Sequence, residues 1–256
     1  MNDNAKIVDT PDFSSVFGLD FFRNYVYEPS EDSFLLIDAL AAESAFFHEV
    51  LKPRICVEIG CGSGVVITSL AKILGSSAIC LATDINPVAT LAGSVLSKKN
   101  NAVVDFINCD LLGPLKPSVV GKVDILIFNP PYVVTTDEEF GESTRPKDID
   151  FSSASSVSDP LIAEAISQLK NSGAKTVGIS ASWAGGENGR QVTDRVLAQV
   201  KELLSEKGCF YLVALTENKP SEIVKMMKAE GFEHKVVLKR RAGIELLSII
   251  RFQRSM

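Results

Sequence analysis

From residue 55 onward, short runs rich in Val and Ile alternate with segments of helical periodicity. This alternation constrains the fold more than any other feature, because strands joined by helices form a parallel sheet covered by helices. It predicts seven strands, at 55–59, 78–83, 103–108, 123–128, 209–215, 234–240 and 245–251. It predicts helices between them, at 65–74, 87–99, 191–206 and 220–230. The last two strands are joined only by residues 241–244, too few for a helix, so they must be antiparallel neighbours.

Two segments fall outside this alternation. Residues 1–50 form an N-terminal extension, in which the motif YEPSED at 27–32 precedes a helical apolar pattern. The motif predicts a capped amphipathic helix that lies over a ligand cleft. The main α/β domain is predicted at 51–256, with an insertion at about 137–180 that is rich in Ser, Asp, Glu and Lys. Within it we expect one helix, at 159–170, and a disordered tip at about 142–158.

Composition excludes several classes of function. The formal net charge of -6 argues against a protein that binds by neutralising many phosphates, so a nucleic acid is not the favoured substrate. The five cysteines contain no CxxC pair, which indicates free thiols in a reducing compartment. The two histidines, His48 and His234, are far apart, so no metal site is expected. Without a signal peptide or a membrane-spanning apolar run, we expect a location in the cytoplasm, or also in the nucleus.

A glycine-rich segment at 58–64, EIGCGSG, follows the first predicted strand. Glycine lets the backbone approach a ligand where any Cβ would clash. The nicotinamide fingerprint fails, because the sixth position counted from Gly60 is Val65 rather than glycine. The alternating GxGxG preceded by an acid instead resembles the cofactor loop of methyltransferases. A merely tight connection between strand and helix is the alternative.

Acidic residues close three successive predicted strands. Asp84 lies 20 residues beyond Gly64, where an acid at the end of a strand can accept both hydroxyls of a ribose. Asp110 repeats this placement after the next strand, and Glu58 closes the first. Either aspartate alone could be a helix cap or a turn residue. Three such acids beside a glycine loop are hard to explain as caps, and they predict a ligand site.

The tetrapeptide Asn129-Pro130-Pro131-Tyr132 follows the strand at 123–128. Two consecutive prolines fix φ and remove two amide donors, so their carbonyls and the Asn129 side chain can be presented rigidly. The Asn129 oxygen and the Pro130 carbonyl can hold both hydrogens of a planar nitrogen, while the ring of Tyr132 covers the flat group. We therefore predict Asn129, Pro130 and Tyr132 as catalytic residues. A rigid turn without chemistry is the alternative.

Four motifs together resemble the eukaryotic and archaeal branch of the HemK-type glutamine methyltransferases. They are YEPSEDS at 27–33, EIGCGSG at 58–64, FNPPYVV at 128–134 and WAGGENGR at 183–190. The resemblance extends over 27–252 and implies a class I, Rossmann-like methyltransferase fold with S-adenosylmethionine as cofactor. It implies methylation of the side-chain amide nitrogen of the GGQ glutamine in a class I peptide release factor. The chain departs from the family's pattern at about 137–180, which is longer than the usual loop.

The resemblance also implies roles for individual residues. The implied cofactor contacts are Ser33, Glu58, Gly60, Asp84, Asp110, Leu111 and Asn129. Glu58 would lie near the methionine amino group, and Asp110 and Leu111 would hold the adenine. Asn129, Pro130 and Tyr132 would hold the glutamine. Trp183 and Arg190 would line the substrate side, with a core anchor as the alternative for Trp183.

The eukaryotic members of the family work with a small zinc-binding activator subunit, so the resemblance implies a heterodimer. Strand 103–108 is the edge strand of such a sheet, and it lacks the Lys or Pro that usually protects an edge. We expect the partner to add a strand there, unless the preceding helix or the N-terminal extension covers the edge. A charge at Phe106 is expected to break the complex and spare the glycine loop.

Two rival activities stay open. The first is N6-methylation of adenine in DNA, since the same tetrapeptide chemistry serves an exocyclic amine. The negative net charge of the chain argues against this activity. The second is methylation of a protein lysine, for example in a histone. A lysine must first lose a proton, and the tetrapeptide supplies no obvious base.

Overall fold

A computed structural model describes residues 10–155, 157–243 and 245–254 of the chain. Residues 1–9, on which the expectation of no signal peptide partly rests, lie outside the described residues, as do position 156 of the predicted tip and position 244 of the predicted hairpin. Within the described residues, no helix is both long and apolar enough to cross a membrane.

The described residues form one sheet of seven strands in the order β3-β2-β1-β4-β5-β7-β6. The strands are β1 Ile55–Ile59, β2 Ile79–Asp84, β3 Asp105–Asn108, β4 Val123–Phe128, β5 Leu204–Leu215, β6 Phe232–Ala242 and β7 Glu245–Arg254. The first five strands are parallel, and β7 is antiparallel to both β5 and β6. The predicted α/β architecture with a C-terminal antiparallel hairpin is therefore confirmed.

Eleven α-helical segments occur in the described part of the chain. They are α1 Ser14–Phe17, α2 Asp20–Arg23, α3 Glu31–Ala42, α4 Ser44–Phe46, α5 Val65–Leu74, α6 Pro87–Lys99, α7 Lys116–Val119, α8 Asp137–Ser143, α9 Pro160–Ser172, α10 Gln191–Leu203 and α11 Pro220–Ala229. Local sequence explains several boundaries. The Asn86 side chain caps α6 by accepting from the Val88 amide at 2.8 Å, and α9 ends at Gly173 in the left-handed region, with φ +65°.

Two apolar clusters cover the two faces of the sheet, as expected for parallel strands buried on both sides. Successive residues of one strand point to opposite faces, so Ile125 and Ile127 join the cluster that contains α3, α5 and α6. Leu126 and Phe128 join the cluster that contains α10 and α11. The sheet is thereby fixed from both sides, and the carboxyl ends of β1, β2 and β4 meet at one edge.

Several predicted details are wrong, beginning with the third strand, which was predicted at 103–108 and starts at Asp105. The helix predicted at 191–206 ends at Leu203, because Leu204 pairs with Val123 of β4 and is buried as the first residue of β5. The helix α3 is not capped by Ser30, whose side chain makes no capping bond. Nor is α3 amphipathic in the usual sense, since apolar residues around much of its circumference are buried: Leu35, Leu36, Ile37, Ala39 and Leu40.

The tip of the insertion, residues 142–155 and 157–158, makes defined contacts, contrary to the expected disorder. The ring of Phe151 stacks on Phe21 with centroids 5.7 Å apart, and the Asp150 amide donates to the Tyr25 hydroxyl at 2.6 Å. Lys147 and Thr176 form an antiparallel bridge at the base of the tip. Aromatic burial against the N-terminal segment therefore orders a stretch whose composition suggests disorder. The predicted helix of the insertion is present as α9.

Candidate functional site

A cleft with a volume of about 410 Å³ lies at the carboxyl ends of β1, β2 and β4. Ligands of open α/β sheets bind at this edge. One wall of the cleft is the glycine loop with the ends of β2 and β3. The opposite wall combines residues 25–27 and 32–33, the tetrapeptide after β4, and residues of the insertion that include Phe140 and Ile179.

The glycine loop needs its glycines for backbone conformation and for space. Gly60, Gly62 and Gly64 have φ of +64°, +51° and +76°, in the region that side chains disfavour. A Cβ at Gly64 would lie 2.7 Å from the Gly93 Cα and 2.9 Å from the ring of Phe106. Phe106 therefore packs against the loop. This contact contradicts the expectation that a charge at Phe106 would spare the loop.

Glu58 is the penultimate residue of β1 and is buried, with 2% of its surface exposed. Its Oε2 accepts a hydrogen bond from the Ile67 amide in the first turn of α5, at 3.0 Å. Burial raises the pKa of Glu58 well above its usual range, and the nearby Asp84 raises it further. A positively charged group in the cleft would favour the ionised form of Glu58, so the site is suited to a cation.

Asp84 joins the glycine loop to the end of β2. Its Oδ2 accepts from the Gly62 amide at 2.9 Å, and its Oδ1 accepts from the Asn86 amide at 2.8 Å. Burial raises the pKa of Asp84, which these two backbone bonds partly oppose. A carboxylate has about four acceptor positions, so two remain for a diol.

Asp110 differs from Asp84 in its surroundings, although both follow a strand. It lies at the rim, about half exposed, and forms an ion pair with Arg195 of α10 at 2.5 Å. The adjacent Leu111 has a left-handed backbone with φ +50°, and both residues line the cleft. Arg195 was not predicted as a site residue, because nothing local links α10 to the end of β3.

Asn129, at the end of β4, is held by a residue that the sequence analysis did not select. Its Nδ2 donates to Asp32 Oδ2 at 3.0 Å. A carboxylate only accepts hydrogen bonds, so the nitrogen of the Asn129 carboxamide must face Asp32 and the oxygen must face away. That oxygen, Oδ1, is buried and has no hydrogen-bond partner among the described residues. The site thus presents an unpaired acceptor.

Tyr132 shares the same carboxylate oxygen. Its hydroxyl donates to Asp32 Oδ2 at 3.0 Å. Burial raises the pKa of Tyr132, and the charge of Asp32 raises it further, so the hydroxyl keeps its proton and remains a donor. Asp32 itself is 4% exposed in the first turn of α3. The sequence signal for Asp32 was the acid pair in YEPSED, which was interpreted as part of a helix cap.

Ser33 follows Asp32 and also lines the cleft. Its amide donates to Asp32 Oδ1 at 2.7 Å, and its hydroxyl lies 3.3 Å from the same oxygen. Pro130 is buried and lines the cleft beside Asn129. The structure therefore brings every residue predicted as catalytic or cofactor-binding to the lining of one cleft.

The segment WAGGENGR supports the backbone of the tetrapeptide. The Val133 amide donates to the Trp183 carbonyl at 2.9 Å, and the Gly185 amide donates to the Val133 carbonyl at 2.8 Å. A Cβ at Gly189, which has φ +64°, would lie 2.0 Å from the Tyr132 carbonyl oxygen, so only glycine allows this approach.

Asn218, which the sequence analysis did not select, completes this support. Its Nδ2 donates to the Tyr132 carbonyl at 2.8 Å, and its Oδ1 accepts from the Leu215 amide at 3.0 Å. Asn218 is 3% exposed. A buried amide thus ties the tetrapeptide to the end of β5.

Trp183 and Arg190 lie in different places. Trp183 lines the cleft and is 41% exposed, so it is not a core anchor. Arg190 does not line the cleft. Its guanidinium is buried between α10 and α11, where it pairs with Asp194 at 2.8 Å and Glu222 at 3.0 Å. The expectation that Arg190 lines the substrate side is wrong, because two carboxylates hold it away from the cleft.

Asn86 links three segments around the cleft. Its Nδ2 donates to the Tyr25 carbonyl at 2.7 Å, and its Oδ1 accepts from the Thr176 hydroxyl at 2.9 Å. The N-terminal extension and the insertion are thereby attached to the turn after β2. Within the residues described, no group of three or more His, Cys, Asp and Glu side chains is placed to hold a metal ion.

Comparison with known proteins supports a methyltransferase. Residues 32–144 match the family described as "Methyltransferase small domain". The chain is 42% identical to Methyltransferase HEMK2 of Mus musculus, over 98% of this chain and 99% of the relative. It is 34% identical to the eRF1 methyltransferase catalytic subunit mtq2 of Schizosaccharomyces pombe, over 90% of this chain and 89% of the relative.

A solved structure has the same fold. It is the E. cuniculi Mtq2-Trm112 complex responsible for the methylation of the eRF1 translation termination factor, which is 24% identical, with a TM-score of 0.53. The match covers 90% of this chain and 99% of that chain. The cleft fits S-adenosylmethionine: Glu58 offers a buried acid to a cation, Asp84 keeps acceptors for a ribose, and the glycine loop leaves room for a ligand. The chain belongs to the HemK-type methyltransferases, and its cofactor is S-adenosylmethionine.

Proposed function

We propose that this protein methylates the side-chain amide nitrogen of the GGQ glutamine in a class I peptide release factor. The observation that carries the proposal is the buried Asn129 Oδ1, an acceptor without a partner at the carboxyl edge of the sheet. An unsatisfied buried acceptor costs free energy unless a ligand donates to it. A primary amide supplies such a donor. Two of the relatives are named for methylation of eRF1.

The chemistry follows from how the tetrapeptide would hold the amide. S-adenosylmethionine supplies an electrophilic methyl group. An amide nitrogen attacks poorly because its lone pair is delocalised. If Asn129 Oδ1 accepts one N–H and the Pro130 carbonyl accepts the other, the nitrogen is oriented toward the methyl group and gains electron density. As the methyl–nitrogen bond formed, the methyl–sulfur bond would break and leave a neutral thioether. The nitrogen would then lose its proton to solvent, so no base is needed beforehand.

Each remaining residue has a part in this proposal. The ring of Tyr132 covers the flat amide, while its hydroxyl stays bonded to Asp32. Glu58 faces the methionine ammonium, Asp84 the ribose, and Asp110 with Leu111 the adenine. Ser33, Gly60 and Asn129 complete the cofactor contacts. Every one of these residues lines the same cleft, as a shared cofactor site requires.

We also propose a small partner subunit, of the zinc-binding kind that the family resemblance implies, paired with the edge strand that was predicted at 103–108 and is β3, Asp105–Asn108, in the structure. Among the described residues, no strand pairs with the outer side of β3. Val103, just before β3, is 87% exposed. The S. pombe relative is named as a catalytic subunit, and the E. cuniculi structure is a complex.

Because release factors act on ribosomes, the proposal places the protein in the cytoplasm, with the nucleus as a further location.

The decisive experiment is transfer of labelled methyl from S-adenosylmethionine to a purified release factor. Its GGQ-to-GGR variant, a histone and a DNA fragment serve as parallel acceptors. We expect label in the release factor and none in the GGR variant. Equal labelling of the two release factors, or preferential labelling of a histone lysine or of DNA, would contradict the proposal.

A further inference from the structure

We propose that Asp32 is a positioning residue for methyl transfer. Its carboxylate holds the Asn129 carboxamide in the one orientation that leaves the Asn129 oxygen free for the acceptor nitrogen. This inference rests on the proposed function for the identity of the acceptor, but the orientation of Asn129 is a property of this chain alone. Asp32 acts through Asn129 and Tyr132.

Every hydrogen bond that Asp32 accepts in the structure comes from a residue of the site. Oδ2 receives both the Asn129 Nδ2 and the Tyr132 hydroxyl, each at 3.0 Å. Oδ1 receives the Ser33 amide at 2.7 Å, at the start of α3. With 4% of its surface exposed, Asp32 is shielded from water. The carboxylate is therefore fixed at one end by the helix and fixes two side chains at the other.

Orientation matters because the two ends of a carboxamide have nearly the same shape but opposite hydrogen-bonding roles. If Asn129 were flipped, its NH₂ group would face the N–H bonds of the acceptor amide, and donor would meet donor. The carboxylate of Asp32 carries no hydrogen, so it stabilises only the productive orientation. A hydrogen bond to a charged acceptor also polarises the carboxamide, which strengthens its oxygen as an acceptor.

Asp32→Asn tests this role with almost no change in shape. In Asp32, one carboxylate oxygen accepts from the Ser33 amide and the other accepts from Asn129 and Tyr132. The new amide has only one oxygen, so its NH₂ group must face one of these two sets of donors, and those hydrogen bonds are lost. Glu31→Gln is the matched control. Glu31 is the neighbouring acid, its side chain is 57% exposed, and it faces Arg240 rather than the cleft. Both variants remove one negative charge from the same helical turn.

The first readout needs no substrate. Hydrogen exchange of the Asn129 side-chain NH₂ is followed by NMR, with the signals assigned by their loss in Asn129→Ala. We expect slow exchange in the unmodified protein and in Glu31→Gln, and exchange at least about tenfold faster in Asp32→Asn, where the bond to the carboxylate is gone. Tyr132→Phe removes only the second bond to Asp32 and should keep the slow exchange. Equal exchange rates in the unmodified protein and Asp32→Asn would overturn the proposal.

The second readout is kinetic. Because a misplaced catalytic group can cost roughly a hundredfold in rate, we expect kcat of Asp32→Asn to fall by about that factor. The KM for the release factor and the Kd for S-adenosylmethionine should change less than about threefold. In an Asn129→Ala background, Asp32→Asn should have little further effect on kcat, because the group it positions is absent. A purely structural Asp32 would instead give independent losses in the two backgrounds.

The two hypotheses fail in different ways. If the release factor accepts no methyl group from the unmodified protein, either alone or in complex with the proposed partner subunit, the proposed function is wrong, and the NMR comparison still decides the role of Asp32. If the release factor is methylated but Asp32→Asn turns over as fast as Glu31→Gln, only the positioning role is wrong.

Discussion

The two walls of the cleft are assembled in different ways. Around the glycine loop on the cofactor side, the fixing bonds join residues close in sequence: 9 positions separate Glu58 from Ile67, and 22 separate Gly62 from Asp84. Only at the rim does a distant residue take part, where Arg195 pairs with Asp110 from 85 positions away. On the acceptor side, 97 positions separate Asn129 from Asp32, and 86 separate Asn218 from Tyr132. The cofactor side is thus built by consecutive strands and their turns. The acceptor side exists only when distant segments have packed together.

The largest effect is expected at the centre of the acceptor side. Asn129→Ala removes the carboxamide oxygen that would orient the attacking nitrogen, so we expect kcat to fall on the order of a thousandfold. The Kd for S-adenosylmethionine should change only about threefold, because the bonds of Glu58 and Asp84 are local to the other wall. Single-turnover rates at saturating cofactor, with calorimetric titration alongside, measure both. Near-normal turnover would remove Asn129 from the mechanism.

A second, smaller effect is expected on the cofactor side. Asp84→Ala removes the acceptor proposed for the ribose and frees the amides of Gly62 and Asn86. Charge-assisted hydrogen bonds are worth about 1.5–3 kcal/mol each, so the Kd for S-adenosylmethionine should rise roughly a hundredfold or more. Calorimetric titration measures it. Asp105→Ala, an exposed acid on the edge strand, is the control. An unchanged Kd in Asp84→Ala would show that the ribose lies elsewhere.

The same difference explains what the sequence could predict. The glycine loop and the acids at 58, 84 and 110 could be placed, because each follows a recognisable strand in a fold whose strand ends converge. Asp32 and Asn218 could not, since their functional bonds join segments that no local pattern connects. Arg190 was misplaced in part for the same reason, because one of its two partners, Glu222, lies on a different helix.

The prediction of the fold was correct where hydrophobic periodicity determines the structure, and wrong where tertiary pairing overrides that periodicity. The parallel sheet and the C-terminal hairpin followed from element types and connection lengths, and the edge position of the third strand followed from the family resemblance. The end of α10 did not, because pairing of Leu204 with β4 converts residues with helical periodicity into strand. The order of the insertion tip depends on Phe151 meeting Phe21, which lies 130 positions earlier in the chain.

Asn218, which supports the tetrapeptide from a distant part of the sequence, should affect turnover but not cofactor binding. Asn218→Ala leaves the Tyr132 carbonyl and the Leu215 amide without their bonds inside the protein, which costs about 1–3 kcal/mol of stability. We expect kcat to fall roughly tenfold as the tetrapeptide loses its position, with cofactor affinity almost unchanged. Thermal unfolding, turnover and titration are compared with Glu217→Ala, an exposed neighbour. Equal turnover in the two variants would show that the tetrapeptide keeps its position without Asn218.

The smallest effects concern the edge strand. Substitutions at Phe106 and Val103 should separate its support of the cofactor loop from its proposed binding of a partner. The ring of Phe106 fills the space beside Gly64 and Gly93, so Phe106→Lys removes packing from the cofactor loop and places a charge in a half-buried position. We expect the Kd for S-adenosylmethionine to rise roughly fivefold, in line with lost packing at a partly buried site. Calorimetric titration of the folded variant measures this change.

Val103→Lys is the matched substitution on the same edge. Val103 is 87% exposed, so the lysine disturbs no packing within the chain, and the Kd for S-adenosylmethionine should stay within about twofold. If a partner subunit pairs with this edge, a charge just before β3 must be desolvated on association, and co-expressed chains should separate more readily in size-exclusion chromatography. An intact complex in Val103→Lys would argue against this edge as the interface. Unchanged cofactor affinity in Phe106→Lys would show that the glycine loop holds its conformation without the aromatic ring.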